Sequence, residues 1–262
     1  MATLPNPLPK LAADPSGGVL GLELPAGRLI DATDEGPWHE PLLWCADEPA
    51  VPGGWTALAS ARRAGLLPVL VDVGGGHGGP EDWELTPGAM SYPGDHDAEE
   101  VLAEFWEACA AEGEEWPGPA DAAADQGKDP DSVAAGFADV LLDGGGPLKD
   151  PRPALVPARR SADLPAAIGW MVPANHENDT ARLGAVLRSW EDRFGIRVVA
   201  LGFDRLLVSV AAPPTTLAQA EAVAAEHFAF CPDNIRQGGD TTLRAYAERQ
   251  VLGQPVWHFW WD

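Results

Sequence analysis

Apolar positions along this chain change period from one stretch to the next. In residues 66–73, "LLPVLVDV", they run almost unbroken, the mark of a strand buried on both faces. The preceding "GGWTALASARRAG" (53–65) has helical spacing and closes on Gly65. Residues 19–32, "VLGLELPAGRLIDA", predict two short strands around a Pro-Ala-Gly turn. In residues 95–113 Val101, Leu102, Phe105 and Trp106 form one stripe of an acid-rich helix, with Asp95 or Asp97 as its cap. Residues 114–131, "EEWPGPADAAADQGKDPD", have little apolar content and many turn formers, which predicts a mobile loop. A short helix follows in "SVAAGFADVLL" (132–142).

The pattern is most regular after residue 165. It predicts a strand at 168–172 and a helix at 180–194, capped near Asn178 or Asp179 and ended by Gly195. "IRVVAL" and "RLLVSVA" flank "GFD" as a hairpin, and "TTLAQAEAVAAEHFAF" is a second helix. "DTTLRAYAERQ" is a short inserted helix, and "PVWHFWW" is the last strand. This β-α-β-β-α-β order predicts an α+β fold whose C-terminal half is a ferredoxin-like βαββαβ sandwich, with helices on one face of an antiparallel sheet. Residues 146–164 are rich in Gly and Pro and predict a linker. The expected organisation is an acidic α/β N-terminal domain (1–145), that linker, and a C-terminal domain (165–262). In the last strand Trp257, Phe259 and Trp261 alternate with Val256, His258 and Trp260, so cover is expected on both faces.

Composition changes the picture in one respect. The formal net charge is −23, and residues 1–150 carry 28 Asp and Glu against 6 Lys and Arg, while the remainder is nearly balanced at 12 against 11. Such a field repels nucleic acid and anionic membrane and attracts basic proteins. Glu99, Glu100, Glu107, Glu112 and Glu114 are the candidate partner-binding residues; solubility alone is the simpler reading of the same charge. The first residues lack the apolar core of a signal peptide, and no apolar run reaches membrane-spanning length. Three scattered cysteines form no CxxC pair. A cytoplasmic protein is expected, and abundant Ala, Gly, Pro and Arg suggest a GC-rich bacterial source.

"EHFAFCPDNIRQG" (226–238) and the terminal "WHFWWD", together with "RSWEDRFGIRVVAL" and "APPTT", resemble the bacterial family called domain of unknown function 4253. The resemblance covers about the last hundred residues. It implies a domain boundary and carries no activity, cofactor or site.

The densest set of reactive groups is His227, Cys231 and Asp233. A cysteine nucleophile needs a histidine within reach and a carboxylate to orient it, so these three are the catalytic candidates of a hydrolase or thiol-dependent enzyme. The competing reading follows from the stripe Ala220, Val223, His227 and Phe230, which places His227 in the core and makes Cys231 a small buried hydrophobe. Asp72 ends the buried strand and His77 lies within the Gly74–Gly79 loop, which matches neither the Walker pattern nor GxGxxG with a helix behind it and reads as a flexible surface loop rather than a phosphate cradle. Asp95, His96 and Asp97 are cation-ligand candidates, though a helix-capping cluster explains them more simply. No metal or cofactor motif stands out. The preferred expectation is a non-enzymatic interaction or immunity-type protein that binds a basic partner.

Overall fold

The computed structural model describes residues 5–123, 128–143, 146–171, 177–240 and 242–262. Its centre is a mixed seven-stranded sheet. In chain order the strands are β1 (Gly27–Ile30), β4 (Leu43–Ala46), β5 (Leu66–Asp72), β6 (Pro151–Pro157), β7 (Ile196–Leu201), β8 (Arg205–Val210) and β9 (Val256–Trp260); β2 (Ala32–Thr33) and β3 (Gly36–Pro37) form a separate small hairpin. Across the sheet the order is β1-β4-β6-β5-β7-β8-β9. Only β5 and β7 run parallel; the other neighbours are antiparallel.

Alternation along the strands builds a main core on one face of the sheet and two smaller ones on the other. On one face Leu67, Val69 and Val71 of β5, Ala154 and Val156 of β6, and Leu206, Val208 and Val210 of β8 join the main cluster. Leu66, Leu70, Leu155 and Leu207 point to the opposite face. A register shift between Val198 and Ala200 breaks the alternation in β7, so Val199 and Ala200 both join the cluster of Leu70 and Leu207 before Leu201 returns to the main core.

Helices cover both faces. The named helices are α1 (Pro9–Ala13), α2 (Gly54–Leu58), α3 (Ala98–Cys109), α4 (Pro130–Leu142), α5 (Leu164–Ile168), α6 (Thr180–Phe194), α7 (Leu217–Phe230), α8 (Asp233–Arg236) and α9 (Leu243–Tyr246), the last continuing into a π-helical turn, Ala247–Val251. The long helices α3, α6 and α7 pack together over the main core. On the other side α4 brings Ala134, Ala138 and Leu141 onto Leu70, Val199 and Leu207, next to Trp55 of α2. Asp97 caps α3 by accepting from Glu99 N and Glu100 N, Asp179 caps α6, and Gly195 ends it in the left-handed region at φ 63°.

Four expectations are corrected. The linker at 146–164 contains β6, which lies between β4 and β5 inside the sheet. Its prolines are tolerated because Pro151, Pro153 and Pro157 share one parity. The Pro151 carbonyl accepts from Ala50, beyond the end of β4, so that side of β6 is the one towards β4, and within β6 only Ala154 and Leu155 pair with β4. Residues 164–168 are helix, and Gly169 follows in the left-handed region at φ 71°, so the strand expected at 168–172 is absent as far as residue 171; Val172 lies outside the described residues. A split βαβ sandwich requires the last strand beside the first of its four. Here β9 is the far edge strand beside β8, and β5, from the N-terminal half, separates β6 from β7. Strands from both sides of the expected domain boundary therefore share one sheet. Finally, β9 is covered on one face only: Trp257, Phe259 and Trp261 are buried, whereas His258 is exposed and Val256 and Trp260 are half-buried.

Candidate functional site

The segment from His227 to Asn234 spans the end of α7, a turn at Pro232 and the start of α8. His227 is fully buried between the rings of Trp190, Trp257 and Phe259, with centroids 5.0, 4.6 and 4.9 Å away. Its Nδ1 lies 3.1 Å from Tyr246 Oη, which accepts from Asn234 Nδ2 at 3.2 Å, and among the described residues its Nε2 has no partner. Burial, with a smaller push from Arg193, lowers the imidazole to about 3, so it stays neutral. Cys231 donates its thiol to the Trp260 carbonyl at 3.0 Å, and burial raises it to about 12. Asp233 accepts from Gln237 Nε2 at 3.1 Å and from Asp262 N at 3.2 Å. Three candidates within seven residues thus face three different partners, with a base that resists protonation and a thiol that resists ionisation.

Two neighbours that the sequence reading passed over organise this region. The Asn234 carboxamide accepts from Trp260 N at 3.1 Å and donates to the His258 carbonyl at 2.6 Å. It thereby pairs with the open edge of β9 as a further strand would. Glu226 is wholly buried and accepts from both terminal nitrogens of Arg193 at 2.8 and 2.5 Å, from Trp190 Nε1 at 2.6 Å and from Ala120 N at 2.7 Å. Arg193 also donates to the Ala120 carbonyl at 2.8 Å. This ion pair pins part of the expected mobile loop at a buried Ala120; residues 124–127 lie outside the described residues. Asparagine one residue beyond Pro-Asp, and glutamate on the inner stripe of α7, were the available signals. Neither residue type reveals its partner locally.

The acidic candidates occupy the outer side of α3 and the segment after it. Val101, Leu102, Phe105, Trp106 and Cys109 are buried, whereas Glu99, Glu100, Glu107, Glu112 and Glu114 are all exposed. Among the described residues the first four form no ion pair; Glu114 accepts from Ala111 N at 3.3 Å, and neighbouring Glu104 pairs with Arg182.

The Gly74–Gly79 loop is shaped by Asp72. This carboxylate accepts from Gly74 N at 3.2 Å, Lys149 N at 3.1 Å and Asp150 N at 2.8 Å, so the local amides are engaged within the chain. A Cβ at Gly74 would lie 2.7 Å from Asp150 N, which explains the glycine. His77 stacks on Phe203 with centroids 3.7 Å apart. Of the 95–97 group, Asp97 is the α3 cap, and His96 Nε2 lies 2.5 Å from Ser91 Oγ and 3.8 Å from Asp179 Oδ2. Among the described residues no group of three or more His, Cys, Asp or Glu side chains is arranged to hold a metal ion, and no helix is long and apolar enough to cross a membrane.

No curated protein and no solved structure matches the chain. The motifs that resembled a family, "RSWEDRFG", "EHFAFCPDN" and "WHFWW", are the ones that meet here, through Arg193 and Glu226, Trp190 and His227, and Asn234 and β9. Residues 152–262, beginning within β6 and running to the last residue, match the family model described as Domain of unknown function (DUF4253), and this places the C-terminal region in that family.

Proposed function

We propose that this is a bacterial cytoplasmic interaction protein, of immunity type, which binds a basic protein through the acidic face of α3 and performs no catalysis. The observation that carries the reading is that Glu99, Glu100 and Glu107 on α3, and Glu112 just beyond it, are exposed and form no ion pair among the described residues, while the opposite face of the helix is anchored in the main core. Carboxylates held on a rigid element present a fixed field, which raises the association rate with a basic partner and selects against acidic ones. The alternative, a hydrolase or thiol-dependent enzyme using Cys231, His227 and Asp233, has the opposite support: burial holds the thiol protonated and the imidazole neutral.

The test is capture from the native host at low salt and at about 0.5 M salt, where screening shortens the field to a few ångström. Wild-type protein is compared with the variant Glu99→Lys, Glu100→Lys, Glu107→Lys, Glu112→Lys. A basic protein retained by wild type at low salt, and lost on both charge reversal and high salt, is the expected result. Equal retention in all conditions would reject the acidic face as the binding surface.

A further inference from the structure

A cleft of about 590 Å³ opens between the 36–42 segment, the 87–93 segment and the 157–167 segment. It shares no residue with the acidic face of α3. We infer that it is a binding site for a small monoanionic ligand with a flat apolar body, such as an aromatic carboxylate or sulfonate.

The apolar part of the argument is the lining. Trp38 and Tyr92 contribute aromatic surface, and prolines and alanines make up most of the rest. Such a mixture, in a volume of this size, is typical of small-molecule sites rather than of incidental surface roughness.

The charge part rests on Arg159. Asp163 also lines the cleft, but Arg188 neutralises it through two contacts of 2.5 and 2.9 Å. Among the described residues, Arg159 is the one arginine after residue 150 that forms neither a hydrogen bond nor an ion pair, in a chain with 40 carboxylates against 17 cations. A guanidinium left uncommitted amid such an excess of acids, and placed on an aromatic cleft, suits a bidentate contact to an acid group. Glu40, exposed on the same cleft, weighs against polyanions such as nucleotides and in favour of a single negative charge.

The walls are fixed in advance. Arg188 lies over the Tyr92 ring at 4.7 Å, Ser91 N donates to Asp179 at 3.1 Å, and Ser91 Oγ meets His96 Nε2 at 2.5 Å. Trp38 lies so close to Gly88 that a Cβ there would sit 3.3 Å from its ring. Little ordering of these walls remains for a ligand to impose, so the ordering cost falls mainly on the exposed Arg159 side chain.

The probe is 8-anilinonaphthalene-1-sulfonate, titrated by fluorescence into the folded full-length chain, with the neutral N-phenyl-1-naphthylamine as its uncharged counterpart. The expected result is saturable one-to-one binding of the sulfonate, weakened about tenfold in Arg159→Gln, the loss of one charge-assisted contact. The neutral dye should bind more weakly and be insensitive to that change. Trp38→Ala should weaken both dyes, and Arg63→Gln, at an exposed arginine outside the cleft, neither. Arg159→Gln binding the sulfonate as wild type does, or wild type binding both dyes equally, would overturn the inference.

Discussion

The side chain of Asn234 meets the backbone of Trp260 as one strand meets another: its Oδ1 accepts from Trp260 N at 3.1 Å, while its Nδ2 reaches the carbonyl of His258 at 2.6 Å. Since β9 is the edge of the sheet, one carboxamide occupies positions that would otherwise invite a second chain. Asn234→Ala should therefore lower stability by about 1–2 kcal/mol and promote self-association. Thermal melting and gel filtration at two concentrations read both effects. An unchanged melting temperature together with an unchanged elution volume would show that the edge needs no cap.

Arg193 and Glu226 form a buried pair, and removing one member strands the other's charge. Arg193→Met should cost about 3–5 kcal/mol, with part of it recovered in the double variant Arg193→Met, Glu226→Met. The same single change releases Ala120 N and O from the clamp, so a glutamate-specific protease should cut after Glu114 and Glu115 faster than in wild type. Cleavage at the wild-type rate would mean that other contacts hold this segment.

His227 ties stability to pH. Its folded pKa is lowered to about 3 from the ordinary 6.5, so below about pH 6.5 the unfolded chain binds a proton that the folded chain refuses. This contribution is complete above pH 6.5 and is lost as pH falls towards 3, at about 1.4 kcal/mol per pH unit. Urea midpoints at pH 7.5 and pH 5 should thus separate more in wild type than in His227→Phe, which keeps the ring and removes the titration. Equal separations would place the histidine in a wetter setting than the ring cage described above.

Cys231 is buried and its thiol is raised to about 12, so it should be nearly inert to iodoacetamide in the native state at pH 8 and should react readily in denaturant. Cys45 and Cys109 are also buried and raised to about 11, so native labelling should be slow at all three positions. Mass spectrometry of the labelled peptides checks this. Rapid, selective modification of Cys231 would revive the thiol reading.

Period, caps and stops are local properties, and they were legible. The unbroken run of β5, the stripe and Asp97 cap of α3, α6 between Asp179 and Gly195, the β7–β8 hairpin and α7 follow from spacing and from the side chains that satisfy helix ends. The core placement of His227 followed from the same stripe. Strand pairing was another matter, because whether Pro151–Pro157 is a linker or a central strand depends on where β4 ends beside it, more than a hundred residues earlier. Proline is excluded only where a neighbour requires its missing N–H, and the neighbour is a tertiary fact. The partners of Glu226, Cys231 and Asn234 were hidden for a like reason. A buried polar group must find a partner, but the chain supplies it from Arg193, Ala120, His258 or Trp260, at separations that no local pattern encodes. The cleft around Arg159 draws on three distant segments, so only the packing of the 36–42 segment, the 87–93 turn and the stretch from the end of β6 into α5 brings its charge and its aromatic walls together.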